Sequence, residues 1–149
     1  MRLTSRDIVL VAIQLFLCIL YFVDFSILQV SGLGLVSKIG LLIAISGAFI
    51  CLLSILQLNT NLSPFPSPKQ GSTLVKNGLY HYMRHPIYTG ILFLAFGIAI
   101  YLGSAYKIFI GLLLLLLFDV KVRYEEKRLK QKYKEYEAYM KCTGRFLPK

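Results

Sequence analysis

The sequence predicts an all-α integral membrane protein with about four transmembrane helices. Of its 149 residues, 56% are hydrophobic, which is more than an ordinary soluble domain contains. The apolar residues form long runs, whereas most of the charged residues lie in a C-terminal segment. A run of about 20 apolar residues is long enough to cross the hydrocarbon core of a bilayer, which is about 30 Å thick.

Two runs of this length lie in the first 58 residues. The run at 8–29 has few polar interruptions, one of which, Asp24, has no role that the sequence identifies, and the run at 39–58 has only mildly polar ones. Arg2 and Arg6 precede the first run, as basic residues do in a signal peptide. Because the run is longer than a signal sequence needs and no clear small-residue cleavage site follows it, we predict a retained membrane anchor.

A third apolar run covers residues 87–118. As one helix it would be about 48 Å long, which is too long for a single untilted crossing. Gly103 and Ser104 interrupt the run near its middle. The sequence therefore predicts a tight helical hairpin with short crossings at 87–102 and 105–118.

The positive charges are distributed asymmetrically about the predicted spans. Of the 17 lysine and arginine residues, 15 lie before the first span, between the second and third spans, or from Lys121 onward, whereas Lys38 and Lys107 fall on the other side. The positive-inside rule therefore predicts a multi-pass protein with both termini in the cytoplasm. The net charge of +10 would then face anionic lipid headgroups, so no nucleic-acid partner is predicted.

Residues 59–78 form a long stretch without a helical or strand pattern. Pro64, Pro66 and Pro68 occupy alternate positions and favour an extended path. A stretch of this length is commonly functional. Two interpretations remain open, namely one wall of a pocket at the membrane surface and a solvated connection between spans.

The charged segment 120–141 is predicted to be an amphipathic helix that continues from the fourth span. Its apolar and aromatic residues recur near helical spacing among many charged ones. Gly144 is expected to end this helix, and residues 145–148 to follow as a short extended tail.

A cluster of ionisable residues lies at the mouth of the third span. The stretch 78–90 contains arginine, two histidines and three tyrosines, which are costly near hydrocarbon unless they are paired, hydrated or hold a ligand. Glu125, Glu126 and Arg145 are predicted to lie at the same membrane face. Together these groups offer carboxylates for an ammonium group, a guanidinium or helix-end N–H groups for a carboxylate, and tyrosine rings for a planar base or a cationic sulfur.

The order of these residues resembles the isoprenylcysteine carboxyl methyltransferase family and, more broadly, the small integral-membrane methyltransferases that include the phospholipid methyltransferases. The resemblance is carried by Gly78-x-Tyr80-x-x-x-Arg84-His85-Pro86-x-Tyr88-x-Gly90, by Glu125-Glu126 and by Arg145-Phe146-Leu147-Pro148. It covers the chain from about Asn59 to its last residue. Leu79 stands where the family usually has proline, and the chain is shorter at its N-terminus than the eukaryotic enzymes.

The resemblance implies S-adenosylmethionine as methyl donor, in a cytosolic pocket formed by the motif, the C-terminal helix and the tail. We predict one domain over 1–149, with two N-terminal spans at 1–58, identified by their apolar runs, and a catalytic core at 59–149, to which the resemblance applies. The resemblance implies catalytic roles for Glu125, Glu126 and Arg145, with Arg145 orienting the acceptor's carboxylate. The implied cofactor contacts are Tyr80, Arg84, His85, Pro86, Tyr88, Gly90, Glu125 and Glu126. No metal is implied, and the three dispersed cysteines predict neither a zinc site nor a disulfide framework.

The expected acceptor is a lipophilic or lipidated molecule that enters from the bilayer. A carboxylate acceptor is already an anion at neutral pH, so catalysis would rest on positioning and desolvation. An amine acceptor, as in phospholipid N-methylation, would need a base, for which His81, His85 and the glutamates are candidates. A sterol-reductase-like membrane enzyme and a non-catalytic membrane protein remain as other classes, and the oligomeric state stays open.

Overall fold

The structure is a computed structural model that describes residues 4–23 and 34–149. These residues form helices and no strand, so the prediction of an all-helical fold is confirmed. The helices are α1 (Ser5–Phe22), α2 (Gly34–Leu58), α3 (Leu79–Tyr82), α4 (Pro86–Tyr101), α5 (Ala105–Lys132) and α6 (Tyr136–Cys142), with a 3₁₀ turn at Asn59–Asn61 after α2. Asp24 and the end of the first apolar run lie outside the described residues.

Two of the described helices, α1 and α2 with its 3₁₀ extension, are long and apolar enough to cross a membrane. The helix α4 is apolar but shorter, and α5 carries three charged residues within its first 18. Crossing by α4 and α5 therefore stays a prediction.

The helices α1 and α5 lie antiparallel and are linked by hydrogen bonds at both ends. Near the start of α1, the hydroxyls of Thr4 and Tyr124 are 2.9 Å apart. Near its end, Lys107 Nζ donates to the Tyr21 carbonyl at 2.8 Å. The two contacts place Lys107 and Tyr124 at opposite ends of the helix bundle.

The contact between α2 and α4 depends on small residues that let the two backbones touch. A Cβ atom on Gly47 would lie 2.7 Å from the Gly90 carbonyl oxygen, and one on Gly97 would lie 2.3 Å from the Ala44 nitrogen. A Cβ atom on Gly90 would lie 2.7 Å from the Cys51 nitrogen. Packing of this kind is a common way for helices to associate in membranes, where the hydrophobic effect does not favour contacts between helices over contacts with lipid.

Replacing Gly47 with leucine is expected to force α2 away from α4 and to lower the thermal unfolding temperature of the detergent-purified protein. Overpacking at such a contact costs about 1–3 kcal/mol or more. Leu42 on the same helix is 67% exposed, so Leu42→Phe is the matched control. Equal unfolding temperatures for the two variants would show that the close contact does not stabilise the fold.

The turn between α4 and α5 lies where the sequence predicts the helix break. Gly103 adopts a φ of +62°, a left-handed conformation that favours glycine. Ser104 then caps α5, because its Oγ accepts a hydrogen bond from the Lys107 N–H at 3.3 Å. The hairpin packs against α1 around buried apolar side chains, namely Leu17, Tyr21, Leu92, Ala95, Ile110, Leu114, Leu117 and Phe118.

The prediction of one continuous helix over 120–141 is wrong. The helix α5 ends at Lys132, and Tyr133 is extended with φ −118° and ψ 113°. The Tyr133 hydroxyl donates to the Ser72 carbonyl at 2.7 Å, which draws this residue towards the 59–78 loop. The chain then turns into α6 and buries Tyr136. No glycine or proline lies between α5 and α6, so the local sequence does not mark the break. The break is accompanied instead by side-chain contacts with a distant loop.

Candidate functional site

The residues that precede α4 lie alongside the C-terminal tail. Met83 and Gly144 form a parallel β-bridge. The backbone N–H groups of Arg84 and His85 donate to the Gly144 and Arg145 carbonyls at 2.9 and 3.1 Å. A Cβ atom on Gly144 would lie 1.7 Å from the Leu147 carbonyl oxygen, so the path of the tail after this residue requires glycine there. The motif at 78–90 and the tail at 145–148 are therefore neighbours in space.

Glu126 lies at the centre of a group of three basic side chains. Its Oε1 accepts a hydrogen bond from Arg84 Nε at 2.8 Å and lies 3.4 Å from His85 Nε2. Its Oε2 lies 3.3 Å from Arg145 Nη2, and the other end of that guanidinium lies 3.2 Å from Asp119 Oδ1. Burial by itself raises the pKa of Glu126, but the hydrogen bonds from His85 and Arg84 outweigh it and lower the pKa to about 2.

Arg84 also fixes the position of α6. Its Nη1 donates to the Thr143 carbonyl and, at 3.2 Å, to the Met140 carbonyl. The Tyr139 hydroxyl on the same helix donates to the Tyr80 carbonyl. The guanidinium thus joins α5, α6 and the segment before α4, and most of its donors are already used.

Glu125 has a different environment from its neighbour. Its Oε2 accepts a hydrogen bond from the Tyr88 hydroxyl at 3.0 Å and lies 3.9 Å from His85 Nδ1. The His85 and Tyr88 rings are stacked with centroids 5.7 Å apart. Burial raises the pKa of Glu125, and the charge of His85 and the Tyr88 hydrogen bond only partly oppose that rise. The imidazole of His85 therefore lies between two carboxylates that face different partners.

Beside Glu125 lies a cavity of about 300 Å³, at the lower end of the range for small-molecule sites. Residues 61–69 and 72–75 of the proline-containing loop line it, which favours the interpretation of that loop as a pocket wall. Of the residues predicted to contact a cofactor, the structure brings five together in this wall, namely Tyr80, Arg84, His85, Tyr88 and Glu125.

The other four predicted site residues lie outside the wall that the described residues form. Pro86 begins α4, and Gly90 faces α2 in the close helix contact. Glu126 points to Arg84 and Arg145. Arg145 is 34% exposed in its side chain and lies between Asp119 and Glu126. Their cofactor and catalytic roles stay predictions.

Lys121, for which the sequence predicts no role at the site, is a buried part of the cavity wall. This lysine is 1% exposed, and its Nζ donates to Gln14 Oε1 at 2.5 Å and to the Pro64 carbonyl at 3.1 Å. It lies 5.4 Å from the centroid of the Tyr88 ring. Burial lowers the pKa of Lys121, and the charge of Glu125 opposes that shift. Its position four residues before Glu125, on one face of a helix, was the available signal.

Tyr136 and Tyr139 of α6 also line the cavity. Within the described part of the chain, the buried Tyr136 hydroxyl has no hydrogen-bond partner. A buried polar atom without a partner is costly, so this hydroxyl fits a ligand that carries a polar group. Over the described ranges, no group of three or more His, Cys, Asp or Glu side chains is arranged to hold a metal ion.

Comparison with known proteins gives one family and one fold. The family model for phospholipid methyltransferase matches residues 35–136, about two thirds of the chain. A solved structure of a eukaryotic intramembrane Ras methyltransferase, isoprenylcysteine carboxyl methyltransferase, aligns with a TM-score of 0.69 and 22% identity over 99% of this chain. The alignment covers 54% of that protein, so this chain spans about half its length. No curated protein sequence matches at a significant level.

Proposed function

The chain belongs to the phospholipid methyltransferase family and is an integral-membrane methyltransferase; from this premise we propose that it transfers a methyl group from S-adenosylmethionine to a lipophilic carboxylate. The observation that carries this proposal is the cavity that brings Tyr80, His85, Tyr88 and Glu125 together beside the apolar α4–α5 hairpin. A polar donor and a lipophilic acceptor could meet in such a place.

Bound S-adenosylmethionine supplies an electrophilic methyl group on a cationic sulfur. On the protein side, Glu125 is the carboxylate of the cavity wall that can accept hydrogen bonds from an ammonium group, and the Tyr88 hydroxyl holds it in place. The rings of Tyr80 and Tyr88 offer faces for a planar base or a cation. The Tyr136 hydroxyl would gain the hydrogen-bond partner that it lacks among the described residues.

The surroundings of His85 and Glu126, two of the possible bases, favour a carboxylate acceptor. The Nε2 and Nδ1 atoms of His85 lie 3.4 and 3.9 Å from carboxylates of Glu126 and Glu125. Glu126, with a pKa of about 2, is a poor base at neutral pH. A carboxylate acceptor needs no base, so positioning and exclusion of water would suffice for the transfer.

Methylation of a phospholipid amine is the second candidate. The observation that favours it is Glu125, whose raised pKa makes it the better proton acceptor of the two glutamates. The family description points the same way. An amine that arrives protonated would have to lose its proton to this carboxylate before it could attack the methyl group.

The membrane arrangement is proposed with the function. Four crossings by α1, α2, α4 and the first half of α5 would put the cavity and both termini in the cytoplasm. Ile55, Ile87 and Ile91 line the side of the cavity that belongs to α2 and α4. We propose that the lipophilic acceptor enters along this side from the bilayer.

Methyl transfer in proteoliposomes distinguishes the two acceptors. We expect label from methyl-labelled S-adenosylmethionine to enter a prenylated cysteine that bears a free carboxylate, and to be released as methanol on treatment with base. Label that enters phosphatidylethanolamine instead would resist base and would establish the amine reaction. No transfer to either, by protein that binds the methyl donor, would contradict both acceptor assignments.

A further inference from the structure

Lys121 is a buried cation whose partners in the structure are neutral. Its Nζ donates to one side-chain amide and one backbone carbonyl, at 2.5 and 3.1 Å, and faces the Tyr88 ring. Within the described ranges, no carboxylate oxygen lies within 4 Å of this ammonium group. Buried charges are costly unless they are paired, so the arrangement suits an anion supplied from the cavity.

Three separate elements fix the ammonium group in place. Lys121 belongs to α5, Gln14 to α1 and Pro64 to the proline-containing loop. Holding a long side chain in one position removes an entropic cost that would otherwise oppose ligand binding. The position is therefore already organised for a ligand.

The location of Lys121 relative to Glu125 suits the acceptor rather than the donor. The two residues are one helical turn apart, about 6 Å along the axis. Lys121 lies one turn nearer the start of α5 and the apolar hairpin, whereas Glu125 lies next to His85. Both residues contact Tyr88, Lys121 at the ring and Glu125 at the hydroxyl. A molecule held at Lys121 would lie between the membrane helices and the residues proposed to hold the methyl donor.

The other cations near the cavity are already engaged or exposed. Arg84 pairs with Glu126, and Arg145, which the sequence analysis assigned to the acceptor's carboxylate, pairs with Asp119 and Glu126. Lys69 is exposed and donates to a backbone carbonyl. Lys121 is thus the buried lysine or arginine of the described cavity wall that lacks a carboxylate partner.

We propose that Lys121, rather than Arg145, binds an anionic group of the lipophilic acceptor, either a carboxylate or a lipid phosphate. This inference rests on the proposed function, because it names the acceptor's charged group at the same site. An acceptor that lacks the anion loses a charge-assisted hydrogen bond, which corresponds to about a tenfold or greater loss of affinity.

Binding measurements with two matched pairs of probes test the proposal. N-acetyl-S-farnesylcysteine and its carboxamide differ only in the carboxylate, and lysophosphatidic acid and monoacylglycerol differ only in the phosphate. The wild type is expected to bind the anionic member of at least one pair about tenfold more tightly. Lys121→Met should abolish that preference, and Lys121→Arg should keep most of it.

Lys132→Met is the matched control variant. Lys132 also ties α5 to the loop, because its Nζ donates to the Lys69 carbonyl and to Ser72 Oγ at 2.5 Å each. Its own side chain is outside the cavity wall that the described residues form. We expect this variant to keep the wild-type preference for the anion.

Three results would overturn the proposal. The first is a preference for the anion that persists in Lys121→Met. The second is an equal loss of affinity for both members of a pair in that variant, which would assign the lysine to loop structure or to a base. The third is a wild type with no preference in either pair. Titration with S-adenosylhomocysteine separates this failure from failure of the proposed function: Lys121→Met should bind that ligand like the wild type, whereas a wild type that does not bind it would contradict the function itself.

Discussion

Replacing Glu126 with glutamine is expected to lower the free energy of unfolding by about 3–5 kcal/mol, the usual cost of breaking a buried ion pair. Glutamine keeps the size of the side chain but removes the charge that Arg84 and His85 face at 2.8 and 3.4 Å. The Arg84 guanidinium, whose side chain is mostly buried, would be left without its carboxylate. Thermal or denaturant unfolding of the detergent-purified protein measures the loss.

The pH dependence of stability gives an independent check on Glu126. Its pKa falls from an ordinary value of 4.5 to about 2 in the folded protein, so the unfolded chain binds a proton more readily than the folded one. The carboxylate therefore stabilises the fold above about pH 4.5, and this contribution disappears as the pH falls towards 2. The Glu126→Gln variant should lack this part of the acid destabilisation. An identical acid profile for variant and wild type would contradict the ion-pair assignment.

Replacing Glu125 with glutamine is expected to have a large effect on ligand binding and little adverse effect on stability. If the carboxylate holds the ammonium group of the methyl donor, its loss should weaken S-adenosylhomocysteine binding by about two orders of magnitude. Because burial raises the pKa of Glu125, the folded protein binds this proton more tightly than the unfolded chain does. The charge of Glu125 therefore opposes folding above that pKa, and the uncharged glutamine should leave stability unchanged or increase it.

The two glutamine variants serve as controls for each other, since the same chemical change is made at adjacent positions. Calorimetric titration with S-adenosylhomocysteine and thermal unfolding should be measured on both. We expect a weak-binding, stable Glu125→Gln protein and an unstable Glu126→Gln protein. A Glu125→Gln variant that binds like the wild type would remove Glu125 from the proposed donor site.

Much of the helical layout could be predicted from the sequence because it depends on local features. Apolar runs set the lengths of α1, α2 and α4, and Gly103 with Ser104 marks the hairpin turn. The break between α5 and α6 could not be predicted in this way. It involves the Tyr133 hydroxyl and Ser72, which lie 61 residues apart in the chain and meet only after folding.

The candidate site, like the helical layout, could be predicted only in part from the sequence. The sequence identifies the acidic pair but cannot say that Glu125 faces the cavity while Glu126 faces Arg84, because that depends on the rotation of α5 against its neighbours. Gly90 lies in the motif, yet the structure places it against α2. Lys121 was one cation among many, and only the three-dimensional contacts reveal it as buried.

The central claim is that the cavity beside Glu125 binds a methyl donor, and equilibrium titration of the wild-type protein with S-adenosylmethionine in lipid nanodiscs tests it most directly. We expect saturable binding of one ligand per chain that S-adenosylhomocysteine displaces and that Glu125→Gln weakens. Absence of binding, by protein whose cooperative thermal unfolding shows it to be folded in both nanodiscs and detergent, would contradict the account.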